Sequence, residues 1–425
     1  MLDLKLLREE PARVREALAR RGADRSLDDV LAADERRRDI VHKVDERKHE
    51  QNVISKQMAR ASEEERKQML EKARALKSEI EALEPELRSA DEQLEMLAAG
   101  LPNLPHESVP IGHSDDDNVE VRRWGEPRQL EVVEDHLEIG RRLEIIDTDR
   151  AARSSGSRFG YLFGDAVQLE FALVRFALDW LAPHGFVPVV PPVLVRREVM
   201  FGAGALPGDE AQYYVVQDGL YLTGTSEQAL AAIHMEEELD VAELPKRYSA
   251  FSSCFRREAG TWGRDTRGIF RVHQFDKVEM FSFAHPEHSW EEHEFLVGLQ
   301  EELLQALEIP YRVMNVCTGE LGAPASKKID LEAWFPGQSR YREVTSCSNC
   351  TDYQARRLHT RMKGKGAKGI PHTLNGTAIT SSRTVAAILE NYQEPDGSVS
   401  VPKVLHAYLP EGMTRISAER TPGRA

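Results

Sequence analysis

The sequence Phe255-Arg256-Arg257-Glu258 is followed, after a polar loop, by Arg271-Val272-His273-Gln274-Phe275-Asp276-Lys277-Val278-Glu279. Apolar and small residues flank both stretches, which predicts two paired strands joined by the loop at residues 259–268. Side chains alternate between the two faces of a strand. The residues expected to share a face are therefore Arg256 with Glu258 and, on the second strand, Arg271, His273, Phe275, Lys277 and Glu279.

A sheet face of this composition suits a nucleotide better than an apolar core. Arginine guanidinium groups match the geometry of phosphate oxygens, an aromatic ring stacks on a base, and a carboxylate holds an amine. The alternative is a solvated hairpin with scattered charges. The apolar flanks, such as Phe251 and Met280, and the regular spacing of the charges favour the nucleotide site.

Composition narrows the class of protein. The chain has 425 residues, 41% of them apolar, which is enough for two or three domains with sizeable cores. The net charge of −15 disfavours a generic nucleic-acid coat protein. A local basic patch at residues 356–368 is either an RNA contact or a solvated loop. We find no secretory signal and no apolar run of membrane-spanning length, so we expect a cytoplasmic protein without a membrane partner.

The four cysteines are Cys254, Cys317, Cys347 and Cys350, a number that fits a reducing cytosol. The last two have C-x-x-C spacing. Because no second Cys/His pair with metal-ligand spacing accompanies them, we expect no structural zinc. The surrounding sequence is also unlike that of a thioredoxin-type redox site.

A long helical arm precedes the globular part of the chain. Between residues 64 and 99, apolar residues recur at alternating steps of four and three, the heptad pattern of a coiled-coil helix. The same pattern covers residues 30–58, and Ser62 with Glu65 has the sequence of a capping box. We therefore predict an antiparallel coiled-coil hairpin at about residues 27–99, roughly 45 Å long, in preference to a dimerisation coiled coil.

Pro85 lies inside the second predicted helix, where it should bend the helix locally without ending it, since the heptad pattern continues in phase. The arm belongs to a predicted N-terminal domain at residues 1–105. A polar linker at 106–119 separates it from a globular domain at 120–415, which ends in a loose tail at 416–425.

Four further residues in the globular domain are candidates for function. Glu227 begins a predicted helix, where it either favours the helix dipole or holds a cationic substrate. Glu343 and Ser346 lie on a predicted short strand, and they either offer oxygen ligands to a divalent ion or belong to a surface strand. Arg383 lies near the start of a helix, where the dipole disfavours a cation unless an anion binds there.

In combination, these stretches resemble the three motifs of the class II aminoacyl-tRNA synthetases. The matching residues are 185–192 for motif 1, 255–258 with 271–279 for motif 2, and 375–391 for motif 3. Within that class, the loop at 225–227, the segment at 346–357 and the coiled-coil arm are similar to the seryl-tRNA synthetase family.

The resemblance implies an α+β fold in which an antiparallel sheet is flanked by helices and preceded by the coiled-coil arm. It implies a homodimer that uses ATP and Mg²⁺ to activate L-serine as seryl-adenylate. The seryl group would then pass to the 3′ end of serine tRNA, and of selenocysteine tRNA where that tRNA is present. The arm would grip the long variable arm of the tRNA.

The resemblance also implies roles for individual residues. The catalytic residues would be Arg256, Glu343 and Arg383. The ATP site would comprise Arg256, Arg257, Glu258, Val272, Phe275, Glu343, Val344, Thr345, Ser346 and Arg383, with adenine stacked between Phe275 and Arg383. The serine site would comprise Thr225, Ser226, Glu227, Arg271, Glu279, Asn375 and Thr377. Magnesium would be held with ATP by Glu343 and Ser346.

Two other functions share this sequence pattern. A paralogue of the same fold would activate serine or an analogue for another acceptor or for antibiotic self-resistance, which the intact arm disfavours. A catalytically inactive regulator or RNA-binding protein is disfavoured because four charged residues are present together, namely Arg256, Glu279, Glu343 and Arg383.

Overall fold

The computed structural model describes residues 1–24, 26–59, 61–131, 133–208, 210–260, 267–365, 367 and 369–418. The chain divides into two compact units, Met1–Leu104 and Pro105–Ala425. Parts of three predicted segments lie outside the described residues, namely the loop at 259–268, the basic stretch at 356–368 and the tail at 416–425. Among the described residues, no helix combines the length and the apolar character needed to cross a membrane.

The first unit is helical, and its two long helices form the predicted hairpin. The helices are α1 (Leu4–Glu9), α2 (Pro11–Ala19), α3 (Ser26–Met58) and α4 (Glu63–Gly100). Ion pairs join Arg37 to Asp91 and Arg47 to Glu79. Later residues of α3 therefore meet earlier residues of α4, so the two helices are antiparallel. The prediction of a helical hairpin is confirmed.

The heptad residues form the seam between α3 and α4. Ile40 and Val44 are buried against Ala90, and Leu83 and Leu87 pack on this cluster. The arginines that interrupt the apolar pattern on α3 take part in the cross-hairpin ion pairs just described. Apolar burial therefore holds the helices together, and charge pairing at the border of the seam supports their alignment.

The turn between the helices uses the capping box that the sequence predicts. The backbone N–H of Ser62 donates to the Glu65 carboxylate at 2.8 Å, and the Ser62 hydroxyl accepts from the Glu65 N–H at 3.5 Å. These bonds satisfy N–H groups that have no partner within the helix. Helix α4 then continues unbroken through Pro85 to Gly100.

The second unit combines strands and helices. Its strands are β1 (Val119–Trp124), β2 (Ile146–Asp147), β3 (Tyr161–Leu162), β4 (Phe186–Val189), β5 (Leu194–Val195), β6 (Tyr221–Leu222), β7 (Glu238–Asp240), β8 (Lys246–Phe255), β9 (Gln274–Ala284), β10 (Tyr311–Asn315), β11 (Lys327–Phe335), β12 (Arg340–Asn349), β13 (Arg361–Lys363), β14 (His372–Thr380), β15 (Val399–Ser400) and β16 (Arg415–Ile416). Its helices are α5 (His136–Arg142), α6 (Thr148–Ser155), α7 (Asp165–Leu181), α8 (Arg197–Gly202), α9 (Glu227–Ala231), α10 (Ser289–Ala306), α11 (Tyr353–Arg357) and α12 (Ser381–Asn391).

One large sheet organises this unit, with strand order β1-β10-β11-β12-β14-β9-β8-β4. Neighbouring strands are antiparallel except β4, which runs parallel to β8 at the sheet edge. Pro188 lies in β4, where its missing N–H weakens no central ladder. Helices α7, α10 and α12 contact the sheet, and a single apolar cluster fills the space between these layers. The expected α+β architecture is confirmed.

The paired strands of motif 2 are shorter than the sequence predicts. Strand β8 ends at Phe255 and β9 begins at Gln274, and these two residues pair with each other. The predicted alternation of Arg256 and Glu258 on one strand face is therefore wrong, because both follow the end of β8 and Glu258 has a φ of 50°. Arg271 and His273 likewise precede β9, so alternation does not set their directions.

The hairpin seam makes a direct prediction. Ile40→Ala leaves a cavity in the buried cluster and should lower the local free energy of unfolding of α3 and α4 by about 2–4 kcal/mol. The matched control Val53→Ala changes an α3 side chain that is 37% exposed and should cost about 0.5 kcal/mol or less. Amide hydrogen exchange within the hairpin measures both effects, and equal losses in the two variants would contradict the described seam.

Candidate active site

A cavity of about 280 Å³ opens against the face formed by β9, β11, β12 and β14. The residues that line it are Arg256, Glu258, Phe270, Arg271, Val272, Phe275, Lys277, Lys328, Glu343, Val344, Ser346, Thr377, Thr380, Ser382 and Arg383. The structure thus gathers most of the ATP-site residues expected from the sequence around one space, with several cations and few apolar side chains.

A bulge in β12 aims two of these residues into the cavity. Along the β11–β12 pair, Thr345 lies opposite Leu331 and Glu343 lies opposite Glu332, so Val344 is an extra residue without a partner. Regular alternation would send Glu343 and Ser346 to opposite faces, because they are three residues apart. The extra residue shifts that alternation, and both side chains line the cavity.

A second bulge does the same on β14. Thr377 pairs with Glu279 and Ile379 with Val278, which leaves Ala378 as the extra residue. Thr377 and Thr380 therefore both line the cavity, although they too are three residues apart.

The two bulged strands are tied together by a buried amide. Gln300 on α10 is fully buried, and its Nε2 donates to the carbonyl oxygens of Ser346 at 2.8 Å and Thr377 at 2.9 Å. The β12–β14 pairing covers only Cys347 to Asn349 on the β12 side, so this side chain supplies bonds where the ladder has stopped. Gln300 thus fixes the spacing of the two cavity walls.

The two arginines expected from motifs 2 and 3 enter the cavity from opposite elements. Arg256 donates from Nε to the Gly224 carbonyl at 3.0 Å, and its guanidinium lies 5.2 Å from the centre of the Phe275 ring. Arg383 lies at the start of α12, 4.9 Å from the centre of the Phe270 ring. The structure therefore places Arg256 over Phe275, and it places Arg383 over an aromatic residue that the sequence had not singled out.

Glu343 is surrounded by positive charge. Arg383 Nη1 lies 3.3 Å from the Glu343 carboxylate and donates to its backbone carbonyl at 2.9 Å. Desolvation by the cavity walls raises the pKa of Glu343, but the charges of Arg383 and Lys328 outweigh it and hold that pKa below its usual range. Lys328 also lies 3.7 Å from Asp330, whose pKa is raised, chiefly by burial. Glu343 is consequently the ionised carboxylate of this wall.

The residues expected to bind serine form a polar cluster beside Lys277. The hydroxyl of Thr225 donates to Glu279 Oε2 at 3.4 Å and accepts from the Glu227 N–H at 3.3 Å. Glu227 Oε1 accepts from the side-chain amides of Gln354 at 2.8 Å and Asn375 at 3.0 Å. Burial, followed by the charge of Glu279, raises the pKa of Glu227 to about 7. The cluster is therefore dense in acceptor oxygens, and most of its side chains are buried.

Some residues expected in the site lie outside the cavity lining. The guanidinium of Arg257 lies 5.9 Å from the centre of the Tyr214 ring, and the backbone N–H of Arg257 donates to the Gln212 carbonyl. Thr345 is 2% exposed and takes the strand face opposite that of Ser346. Ser226 is 1% exposed and precedes α9 as its N-cap residue, without a side-chain cap bond.

The structure also adds residues that sequence reasoning passed over. Lys277 lies within motif 2 and Gln354 within the segment at 346–357, but the sequence pattern predicts no role for either residue. Phe270, Lys328 and Gln300 carried no signal, because their proximity to the site arises only when β11, α10 and the loop before β9 come together.

The C-x-x-C pair lies behind the serine-site cluster. The thiols of Cys347 and Cys350 are buried, and burial raises the pKa of both well above the usual range. Asn375 Nδ2 lies 3.7 Å from Cys350 Sγ. Buried thiols of high pKa are poor nucleophiles, so the pair serves packing in this structure.

Comparisons with known proteins cover nearly the whole chain. A family model described as the seryl-tRNA synthetase N-terminal domain matches residues 1–105, and a tRNA synthetase class II core domain (G, H, P, S and T) matches 213–392. Serine–tRNA ligase 1 of Streptomyces avermitilis is 49% identical over 96% of this chain and 97% of its own length. Serine–tRNA ligase of Nitrosopumilus maritimus is 43% identical over 96% and 99%.

Solved structures agree with these sequence relatives. The crystal structure of seryl-tRNA synthetase from Pyrococcus horikoshii complexed with ATP superposes with a TM-score of 0.90 at 43% identity. The match covers 98% of this chain and 99% of that one.

The environment of Glu227 predicts a pH dependence of stability. Its pKa is about 7 when folded against an ordinary 4.5, so the unfolded state ionises first as the pH rises through this window and stability falls. Glu227→Gln keeps an acceptor for Gln354 and Asn375 but has no proton to lose. The variant should match the parent below pH 4.5 and exceed its Tm by about 2–4 °C at pH 8. Parallel Tm–pH curves for the two proteins would contradict the raised pKa.

Proposed function

The chain belongs to the seryl-tRNA synthetase family of class II aminoacyl-tRNA synthetases. We propose that the cavity between Arg256 and Arg383 is its ATP site and that the adjoining polar cluster beside Lys277 is its serine site. The enzyme is a serine–tRNA ligase that activates L-serine with ATP and transfers the seryl group to serine tRNA. Similarity to serine–tRNA ligases extends over the arm as well as the core, which disfavours a paralogue that loads a different acceptor. The observation that carries the site assignment is the convergence of Arg256, Arg383 and Glu343 on one cavity.

The lining suits a nucleoside triphosphate. Arg256 supplies a guanidinium for the α-phosphate, and Phe275 supplies a flat ring for adenine, with Glu258 and the backbone near Val272 alongside. Arg383 has an aromatic neighbour of its own in Phe270, so it would turn from that ring toward the base or remain near the phosphates. A relative of 43% identity is complexed with ATP, which supports the same substrate for this chain.

Magnesium fits the same wall. An ionised Glu343 and the Ser346 hydroxyl face one space because of the β12 bulge, and hard divalent ions prefer oxygen ligands. These two residues would hold Mg²⁺ at the ATP phosphates, where the ion supplies charge neutralisation for the departing pyrophosphate.

The first half-reaction requires no covalent enzyme nucleophile. The serine carboxylate attacks the α-phosphorus of ATP, the bond to the bridging oxygen breaks, and pyrophosphate leaves. Negative charge accumulates on the α-phosphoryl oxygens in the transition state, and fixed guanidinium groups such as Arg256 stabilise it. The seryl group of the adenylate then passes to a hydroxyl of the tRNA 3′ ribose, with AMP as the leaving group.

The polar cluster beside Lys277 would recognise serine. Glu279 and Thr225 offer acceptors to the ammonium group, while Glu227, held by Asn375, and the nearby Thr377 would complete the pocket around the hydroxyl. Ser226 and Arg271 would close its border. A site whose buried polar groups are matched to a hydroxyl leaves them unpaired with alanine, which disfavours the smaller amino acid.

Surfaces outside the cavity would bind serine tRNA and a second copy of the chain. Exposed basic residues on α3 would contact the long variable arm of serine tRNA, namely Arg36, Lys43, Lys48 and Lys56. Phe171 on α7 is 60% exposed, and Val187 on the edge strand β4 and Val190 just after it are 55% and 81% exposed, which supports a homodimer through this edge. We propose a cytoplasmic location, where this tRNA is charged.

The role of Arg256 has a direct test. Arg256→Ala should lower kcat/KM for serine-dependent ATP–pyrophosphate exchange by about 10²–10³-fold, because it removes a transition-state charge partner. Arg123→Ala serves as the control, since Arg123 pairs with Glu120 on the edge strand β1 away from the cavity, and it should keep parental exchange. Near-normal exchange by Arg256→Ala would refute the assignment, and no exchange by the parent with any amino acid would refute the function.

Deletion of the helical arm should affect the two half-reactions differently. Deleting residues 30–98 removes the hairpin and should abolish the charging of serine tRNA while sparing serine-dependent pyrophosphate exchange, because the cavity lies wholly in the second unit. Aminoacylation and exchange assays on the same preparation measure the two activities. If charging of serine tRNA persists at parental rates, the arm has no role in tRNA recognition.

A further inference from the structure

Lys277 is a buried lysine inside the serine-site cluster. It lies on β9 two residues before Glu279, and their side chains are 8% and 1% exposed. Its Nζ forms an ion pair with Glu279 Oε2 and donates to Thr225 Oγ1 at 3.1 Å. Because the same side chain also lines the cavity, Lys277 joins the serine cluster to the proposed ATP site.

The ammonium of Lys277 uses the oxygens that the proposed function assigns to the ammonium of serine. Glu279 Oε2 already accepts from Lys277 and from Thr225. Two ammonium groups on the same buried oxygens would repel each other strongly, since charges interact more strongly away from water. The amino acid therefore reaches Glu279 only if Lys277 Nζ withdraws.

Withdrawal of Lys277 needs another anion to receive its charge, because an unpaired buried ammonium is costly. The lysine stem is flexible and its ammonium is a compact point charge that accepts several geometries. Serine carries both required groups, a cation that replaces Lys277 on Glu279 and a carboxylate that pairs with the displaced Lys277.

We propose that Lys277 is a substrate-positioning residue that exchanges partners when serine binds. Its ammonium leaves Glu279 and Thr225 and pairs with the serine carboxylate, which turns a carboxylate oxygen toward the α-phosphorus beside Arg256. This inference rests on the serine site proposed above. It also predicts discrimination against amines that lack a carboxylate. Such a ligand has the ammonium group that displaces Lys277 but offers no anion to pair with the displaced lysine.

Ethanolamine is that ligand, since it is serine without the carboxylate. In the parent enzyme it should inhibit serine-dependent pyrophosphate exchange weakly, because it must compete with Lys277 for Glu279. In Lys277→Met the competing cation is gone while the side-chain length is kept. The inhibition constant of ethanolamine should fall about tenfold while kcat/KM for serine also falls about tenfold, each change equivalent to about 1.4 kcal/mol.

The opposite changes in ethanolamine and serine binding distinguish a positioning role of Lys277 from a purely structural one. If Lys277 only stabilises the site, Lys277→Met should weaken serine and ethanolamine together, and that result overturns the inference. Lys277→Gln provides a second variant that keeps hydrogen bonds to Glu279 and Thr225 without the charge, and it should show the same opposed shifts. If both variants fail to bind ATP, Lys277 is required for folding of the site and the positioning role is again overturned.

A matched control separates this effect from the loss of any buried lysine pair. Lys327 is 15% exposed at its side chain and lies 3.4 Å from Glu294, outside the cavity lining. Lys327→Met should leave both the ethanolamine inhibition constant and serine kinetics within about twofold of the parent. If the inhibition constant of ethanolamine falls as much in Lys327→Met as in Lys277→Met, the inference is also overturned. A parent enzyme without serine-dependent exchange would instead reject the proposed function itself.

Discussion

Charged side chains on the sheet face around the cavity are paired with charges of opposite sign, and the site depends on this pairing. Glu343 is met by Arg383, Glu279 by Lys277 and Asp330 by Lys328. Removing one partner from the Lys277–Glu279 pair, whose side chains are 8% and 1% exposed, leaves a poorly solvated charge, which costs far more than an exposed ion pair is worth. The cavity lining contributes Lys277, Lys328, Glu343 and Arg383 to these pairs. Each of these groups can exchange its partner in the protein for a ligand group of the same charge. A triphosphate, a divalent cation and a zwitterionic amino acid supply charges of the required signs.

The surrounding structure fixes where these charges lie. Bulges at Val344 and Ala378 turn residues three apart toward the same space, and the amide of Gln300 holds the two bulged strands at a set distance. Both strands belong to the large sheet, and this sheet packs against helices through the main apolar cluster. Preorganised groups of this kind pay little reorganisation cost when charge develops in a transition state. The same rigidity leaves the flexible lysine stem of Lys277 as the part suited to rearrangement.

Much of this architecture is readable in the sequence, since local patterns control it. The heptad spacing predicts the hairpin, and the Ser62 and Glu65 pair predicts its turn. The directions of individual site residues are less accessible. A bulge depends on the register between two strands distant in the chain, so the shared face of Glu343 and Ser346 cannot follow from alternation. Local alternation likewise extends the motif 2 strand through Arg256 and Glu258, although β8 ends at Phe255. It also gives no indication that Arg383 lies over Phe270, because these residues are distant in the chain.

The central claim is that seryl-adenylate forms in the one cavity that Arg256 and Arg383 both line. A crystal structure with a non-hydrolysable seryl-adenylate analogue tests it most directly. The account predicts the adenine on the Phe275 ring, the phosphoryl mimic within hydrogen-bond distance of the Arg256 guanidinium, and the serine ammonium on Glu279. An analogue bound elsewhere, or bound in the cavity with its phosphoryl mimic remote from both arginines, would contradict the account.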